Sequence, residues 1–371
     1  MANVNIRKPR FYVDLINFLK NRDQFGGHTG IETSGSDQID VVSGSSIDEL
    51  YDMRPLNQVE FNTTGNRTGH VNLWIDTKSS SWRVDFVAIL NHNMIQADAK
   101  IRISSSDGSD TDGNGTIDVS GKTHVKSVDH EDTASSTQAN NQQTLVNQIG
   151  IQNISTNTAK PDSTNSWGSG HAIITFPQAT DRYWGIQFEG STNSADNGDG
   201  AYFDASENLK IGCILLGQFY DMPHSPDLSV KRSIDFDGVK VQESLGGQRF
   251  STMTQHGRRN IETANRSPFT THYNSFGAFG GRMSYDMKFS YLNSTDVMPN
   301  NYDTHGLDDD AVIEDVWNKT NGRHTPFIFT QDGTSGDYSD YLFARFGQDS
   351  LNMTQVAPDV FDVSMKIEEE F

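Results

Sequence analysis

The chain is poor in cysteine, poor in positive charge and without long apolar runs. It has one cysteine, Cys213, so no internal disulfide framework holds it together. No apolar run reaches membrane-spanning length, and the residues after Met1 are polar, without a signal-peptide core. Lys and Arg total 29 against 49 Asp and Glu, a formal net charge of −20. That shortage of cations argues against wrapping DNA or binding an anionic membrane, since both need clustered Lys and Arg. It is compatible with lining a conduit for DNA, where repulsion from phosphate is useful. Catalytic signatures are missing as well: there is no HExxH, no GxSxG and no phosphate-binding glycine loop. His92, His171, His256, His272 and His324 are scattered. No enzyme is expected. Strands and helices do not alternate regularly, which excludes a parallel α/β sheet and points to antiparallel sandwiches.

What is present is a long series of strand patterns. With 371 residues, two domains are expected. Ile211–Ser225 is the joint. Ile211, Cys213 and Leu215 share one face and Ile214 and Leu216 the other, so this strand is buried on both sides. Pro223 and Pro226 then stop it. The reading is all-β: two antiparallel sandwich or jelly-roll domains, with one short helix in the second and an N-terminal arm. The divisions are residues 1–46 for the arm and its loop, 47–222 for the first domain and 223–371 for the second.

In the arm, Phe11, Leu15, Phe18 and Leu19 sit at helical spacing, while the Val, Ile, Tyr and Phe content suits a strand equally. Such an apolar segment must dock on its own body or on a neighbour. Trp82, Val84, Phe86, Ala88 and Leu90 form one face of a strand, Asn91-His92-Asn93 its turn, and Ala97–Ile103 the next strand. Residues 104–168 read as one polar loop, too hydrophilic to bury a core. Tyr183–Glu189 buries Trp184, Ile186 and Phe188. In the second domain Asp237-Gly238 reads as a hairpin turn between Ile234, Phe236 and Val239, Val241. Asp308–Lys319 is the helix, capped by Asp308 to Asp310, whose carboxylates are expected on an inward surface if the domain lines a conduit. Met283–Tyr291 and Phe361–Ile367 alternate as half-buried strands.

One motif carries definite chemistry. Asp110, Asp112, Asn114, Thr116 and Asp118 follow the alternating oxygen-ligand spacing of a Ca²⁺ loop, with Gly115 at the sharp turn. Gly121 stands where the bidentate Glu belongs, so a water or a residue from elsewhere, such as Asp129 or Glu131, would have to close the shell. Asp, Asn and Gly cluster in turns for conformational reasons alone, which is the competing account. Trp74, Trp82, Trp167 and Trp184 are candidates for a sugar platform. Trp82 and Trp184 fit core positions, and Trp167, between small polar residues, is the exposed one. His256-Gly257-Arg258-Arg259 suits an anion or, more simply, salt bridges between strands or subunits. Cys213 is a small buried apolar residue.

Some of these stretches resemble known families. Phe86–Met94 with Ala97–Ile103, then Tyr183-Trp184-Gly185-Ile186 and Leu216-Gly217, resemble the galactose-binding-like (discoidin-type) jelly rolls of phage virion proteins. Gly247-Gln248-Arg249-Phe250, Gly257-Arg258-Arg259, the helix at 308–319, Thr325–Phe329 and Val363–Phe371 resemble tail-tip proteins of the distal-tail type. Asn260–Gly281 departs from that pattern by intervening after the Arg pair. The resemblance implies a non-enzymatic structural protein of a phage tail tip or baseplate, made in the host cytoplasm and located in the virion. It would form a homo-oligomeric ring, a hexamer, that connects the tail tube to host-recognition parts and contacts other tail proteins. No membrane and no specific nucleic acid is expected as partner. The alternative is a lectin-like, Ca²⁺-dependent protein that binds a host surface glycan through Trp167.

Overall fold

Strand-forming alternation dominates the sequence, and the computed structural model of the protein is built of antiparallel sheets with few helices. It describes residues 7–23, 39–55, 57–65, 69–79, 82–94, 97, 99–106, 123–128, 170–190, 192–193, 201–235, 239–253, 282–299, 311–333 and 341–370. The chain divides into two compact units. One holds Tyr12–Phe219 with Asn301–Asp309, the other Met1–Phe11, Tyr220–Asn300 and Asp310–Phe371. The division after Phe219 falls inside a strand, just ahead of Pro223.

In chain order the elements begin with β1 (Arg10–Asp14), α1 (Leu15–Asn21) and a 3-10 turn at Ile47–Tyr51. Then come β2 (Val59–Phe61), β3 (His70–Asp76), β4 (Val84–His92), β5 (Ala99–Ser106) and β6 (Thr123–Val128). β7 (Gly170–Ala179), β8 (Tyr183–Gly190), β9 (Thr192–Asn193), β10 (Ala201–Tyr202), β11 (Leu209–Ile211) and β12 (Cys213–Asp221) follow. In the Tyr12–Phe219 unit, β12, β4 and β7 lie side by side, and a second sheet runs β3-β8-β5-β6. The two sheets share one core. Val87, Ile89, Ile174 and Ile214 come from the first, and Leu73, Ile103, Trp184 and Phe188 from the second. Each such side chain, fully buried, contributes about 1.5–3 kcal/mol. This is a sandwich.

Two expectations change here. β4 is not apolar on one face only: Val84 to Leu90 are buried throughout. It is an interior strand, paired on both edges by β12 and β7, and the burial of successive residues means that both of its faces are covered as well. The polar stretch 104–168 is not a single loop either, because Thr123–Val128 forms a strand against β5. Val125 and Val128 are the apolar residues there, too few to stand out among polar neighbours.

The apolar N-terminal segment adopts both forms that its sequence allowed. Residues up to Asp14 are extended and Leu15 begins a helix. Asp14 sets the boundary. One carboxylate oxygen accepts the Asn17 backbone N–H at 2.8 Å and the Asn17 side-chain N–H at 2.7 Å. The other accepts the Leu216 N–H at 3.2 Å, fixing α1 to β12. A helix N-cap with a side-chain acceptor is the local rule. Gly217 sits opposite. A Cβ there would fall 2.0 Å from the Val13 carbonyl oxygen, so only glycine lets the two backbones approach.

The second unit continues with β13 (Lys231–Asp235), β14 (Val239–Glu243), β15 (Arg249–Met253) and β16 (Arg282–Asn293). A single helical turn, α2 (Ser294–Val297), precedes β17 (Phe327–Thr330), β18 (Tyr341–Phe346), β19 (Asn352–Ala357) and β20 (Val360–Glu369). Its main sheet runs β13-β16-β20-β18-β17, with β19 also on β20. Tyr285, Met287 and Phe289 face the core opposite Ile367, Met365 and Val363. Phe11 packs in this unit, with ring centroids 5.6 Å from Phe327 and 5.4 Å from Phe329.

The helix expected at Asp308–Lys319 is a seven-residue π-helix, Val312–Asn318, following an extended Ala311. Asp308, Asp309 and Asp310 lie outside the described residues. Lys319 turns back onto the buried Asp315 carboxylate at 2.7 Å. The strands flanking Asp237-Gly238 do not pair with each other: β13 pairs with β16, and β14 with β15. The hairpin turn is instead at Ser244–Gln248. Gly247 has φ +81°, and its N–H donates to the Ser244 carbonyl at 2.8 Å.

Candidate functional site

A sandwich presents its connections at two ends, and the register assigns each candidate to one of them. β5 leaves at Ser106, which is opposite Tyr183, and β6 enters at Thr123, opposite Ser105. The connection holding Asp110, Asp112, Asn114, Thr116 and Asp118 therefore starts and ends at the Asp76 and Tyr183 end. β6 then runs back about 17 Å to Val128. β7 begins at Gly170, opposite His92, at the other end. Trp167 is three residues before Gly170 in the sequence. The five oxygen-bearing residues, Trp167, Asp129 and Glu131 all lie outside the described residues. What the described residues place are the strand ends: Ser106 and Thr123 lie at one end of the sandwich and Gly170 at the other. Asp129 follows Val128, at the far end of β6 from the Asp110 stretch.

The end around His92 is a dense polar lattice. Asn93 Oδ1 accepts the Lys210 N–H at 2.6 Å, and Asn93 Nδ2 donates to the Asn208 carbonyl at 2.8 Å. Asn208 Oδ1 accepts the N–H groups of Thr63 and Thr64, both at 3.0 Å, and its Nδ2 donates to Glu60 at 2.9 Å. Asn91 takes φ +54°, tolerable for asparagine, and donates to the Pro55 carbonyl. These side chains tie three connections into one rigid base.

His92 stands apart within this base. It is 1 % exposed, and its Nδ1 accepts the Met94 N–H at 3.3 Å. The neutral ring therefore carries its proton on Nε2, which has no partner among the described residues. Burial pushes its pKa down to about 3. The sequence placed His92 in a turn because Asn-His-Asn is polar. The strand instead runs to His92, and Asn91, with its positive φ, sits in a bulge within it.

At the opposite end, Arg182 grips Asp76 with both ends of its guanidinium, at 2.8 and 2.9 Å. Burial acts to raise the Asp76 pKa, but the hydrogen bonds from Arg182 and the Lys78 N–H bring it below the usual range. The three described tryptophans of this unit make no platform. Trp184 is fully buried and stacks on Phe176, Trp74 is buried over Gly185, and Trp82 meets Phe18 edge-on. Cys213 is buried between strands, and desolvation raises its pKa well above normal, so it is an inert thiol.

The second unit carries a different kind of candidate. β14 and β15 form a two-stranded ribbon, and β14 is exposed along its whole length. Val241 is 60 % exposed, Phe250 53 % and Leu245 fully exposed at the turn. A lone ribbon of this kind is marginally stable by itself. His256, Arg258 and Arg259, just beyond it, lie outside the described residues. Among the described residues no group of His, Cys, Asp or Glu is arranged to hold a metal ion.

No protein-family model matches the chain, and no curated protein does. Among solved structures it is similar to CBM32-1 from a family 31 glycoside hydrolase from Clostridium perfringens. That likeness covers 48% of this chain and 88% of the other, at 12% identity and a TM-score of 0.26. By its own strand pairing, the chain is an all-β protein of antiparallel sheets.

Proposed function

We propose that this protein is a non-enzymatic structural component of a phage tail tip or baseplate, with its place in the virion. In this reading the second unit forms a homo-oligomeric ring, a hexamer, and contacts other tail proteins. The sandwich unit carries the connections turned toward host recognition. The observation that supports it is the β14–β15 ribbon, whose Val241, Leu245 and Phe250 are exposed where a solitary subunit gains nothing from them. Light scattering on the full chain after size exclusion tests it. The expected result is one closed oligomer of fixed mass. A strict monomer at high concentration would refute it.

A second reading is favoured by the His92 end of the sandwich. There Asn93 and Asn208 brace a base from which the chain segment ending in Trp167 and Gly170 departs. A rigid base under such connections suits glycan binding, a galactose-binding-like role, with Ca²⁺ held separately by Asp110, Asp112, Asn114, Thr116 and Asp118. Screening immobilised glycans with the wild type and Trp167→Ala tests the sugar, and calorimetry with Ca²⁺ alone tests the ion. Because Gly170 lies at the other end of the sandwich from Ser106 and Thr123, Ca²⁺ binding is expected to survive Trp167→Ala.

A further inference from the structure

We propose that the β14–β15 ribbon of one copy adds to the exposed edge of β19 in the next copy, head to tail. This rests on the ring-forming reading above and names the contact that would make the ring. Three observations lead there. First, among the described residues both partners have an edge with no neighbouring strand: β14 and β15 pair only with each other, and β19 pairs with β20 alone. Unpaired backbone N–H and C=O groups on an edge are a template for another strand.

Second, β19 is only partly protected: a bulge after Gln355 interrupts its ladder to β20, and Pro358 follows its last residue. Asn352 to Ala357 includes no charge and no proline, and Val356 is 47 % exposed on it. Natural edges of this length are normally blunted by Lys, Pro or a cover. The ribbon strands have five residues each and β19 has six, so their ladders match in length.

Third, the charges are complementary. Residues 239–253 hold Lys240 and Arg249 against Glu243, a net of +1, within a chain of net −20. The stretch 349–359 holds Asp349 and Asp359 and no cation; Asp349 is already paired with Arg323 at 2.6 Å, so Asp359 carries the net charge of this edge. A ribbon of net +1 is steered to the Asp359 end of the edge and disfavoured from pairing with itself. The contact uses two different surfaces, so it is heterologous, and repetition closes into a ring when the rotation allows.

Mixed cross-linking tests this. One preparation of the full chain carries Val241→Cys, a second Ser251→Cys, and a third Val356→Cys. All are exposed positions, and folding is checked by circular dichroism. A ribbon variant mixed with the Val356→Cys variant and treated with a short thiol cross-linker should give a covalent dimer that neither gives alone. Val241→Asp with Phe250→Asp should raise the dissociation constant of the oligomer about a hundredfold. An oligomer that forms without the mixed cross-link overturns this contact and leaves the ring intact. A chain that stays monomeric overturns both. Cross-linking of Val356→Cys to itself also overturns the contact, since it would mean edge-to-edge pairing.

Discussion

Lowering the pH should expose His92. The folded ring is neutral, buried and held at a pKa of about 3, while in the unfolded chain it titrates near the ordinary value of 6.5. Below about pH 6.5 the unfolded chain therefore takes up a proton that the folded chain refuses. The stability that neutral His92 allows is fully present above the unfolded value. It is lost as the pH falls toward the folded one. The slope is about 1.4 kcal/mol per pH unit, so the loss between about pH 6.5 and 4.5 is about 3 kcal/mol. Carboxylates titrate in the same range, so the wild type alone does not isolate the effect. His92→Asn does. Its Oδ1 lies where Nδ1 now accepts the Met94 N–H, and it does not titrate. At neutral pH the variant should be less stable by about 1–3 kcal/mol, through the volume lost from a packed site. Urea unfolding of both proteins at about pH 7 and about pH 4.5 gives the double difference, in which shared groups cancel. The variant should lose about 3 kcal/mol less than the wild type on acidification. Parallel pH curves would show that His92 is not a buried neutral group.

Asp14→Ala should destabilise the sandwich unit by about 2–4 kcal/mol, since it removes the α1 cap and leaves the buried Leu216 N–H without its acceptor. Asp14→Asn should recover about half of that, because one oxygen cannot serve both Asn17 and Leu216; calorimetry reads both. Gly217→Ala should cost about 3 kcal/mol or more by driving a methyl into the Val13 carbonyl, seen as a lowered melting temperature. Asp76→Ala should cost about 1–2 kcal/mol at neutral pH. Its pKa is depressed in the fold, so the stability that Asp76 contributes is present above about pH 3.9 and lost as the pH falls through the folded value. Wild type and variant should therefore converge in strong acid, and a constant gap would contradict the ion pair.

Much of the molecule is legible in local pattern. Alternation marked Met283–Tyr291 and Phe361–Ile367 as half-buried strands, and they pair with each other; a bulge after Phe289 breaks the alternation, so Tyr291, expected on the inward face, is exposed. The apolar faces of Ile211–Leu216 marked a strand buried on both sides; Cys213–Leu216 is so buried in β12 beside β4, while Ile211 ends the separate strand β11 on β2. These features depend on side-chain period and burial, which the sequence states directly. Pairing partners were not legible. Asp237-Gly238 has turn chemistry, yet β14 turns at Gly247, because a hairpin forms where both strands gain neighbours and not wherever a turn is allowed. The strand Thr123–Val128 is polar and owes its form to the edge of β5. His92 took its burial from Asn91 in the left-handed region and from the lattice of Asn93 and Asn208, contacts spanning more than a hundred residues. By itself, then, the sequence determined the class, the strands and their inward faces. Only the tertiary structure decided which edges met and which polar groups were buried. Backbone hydrogen bonds between distant strands carry no signature in either strand alone.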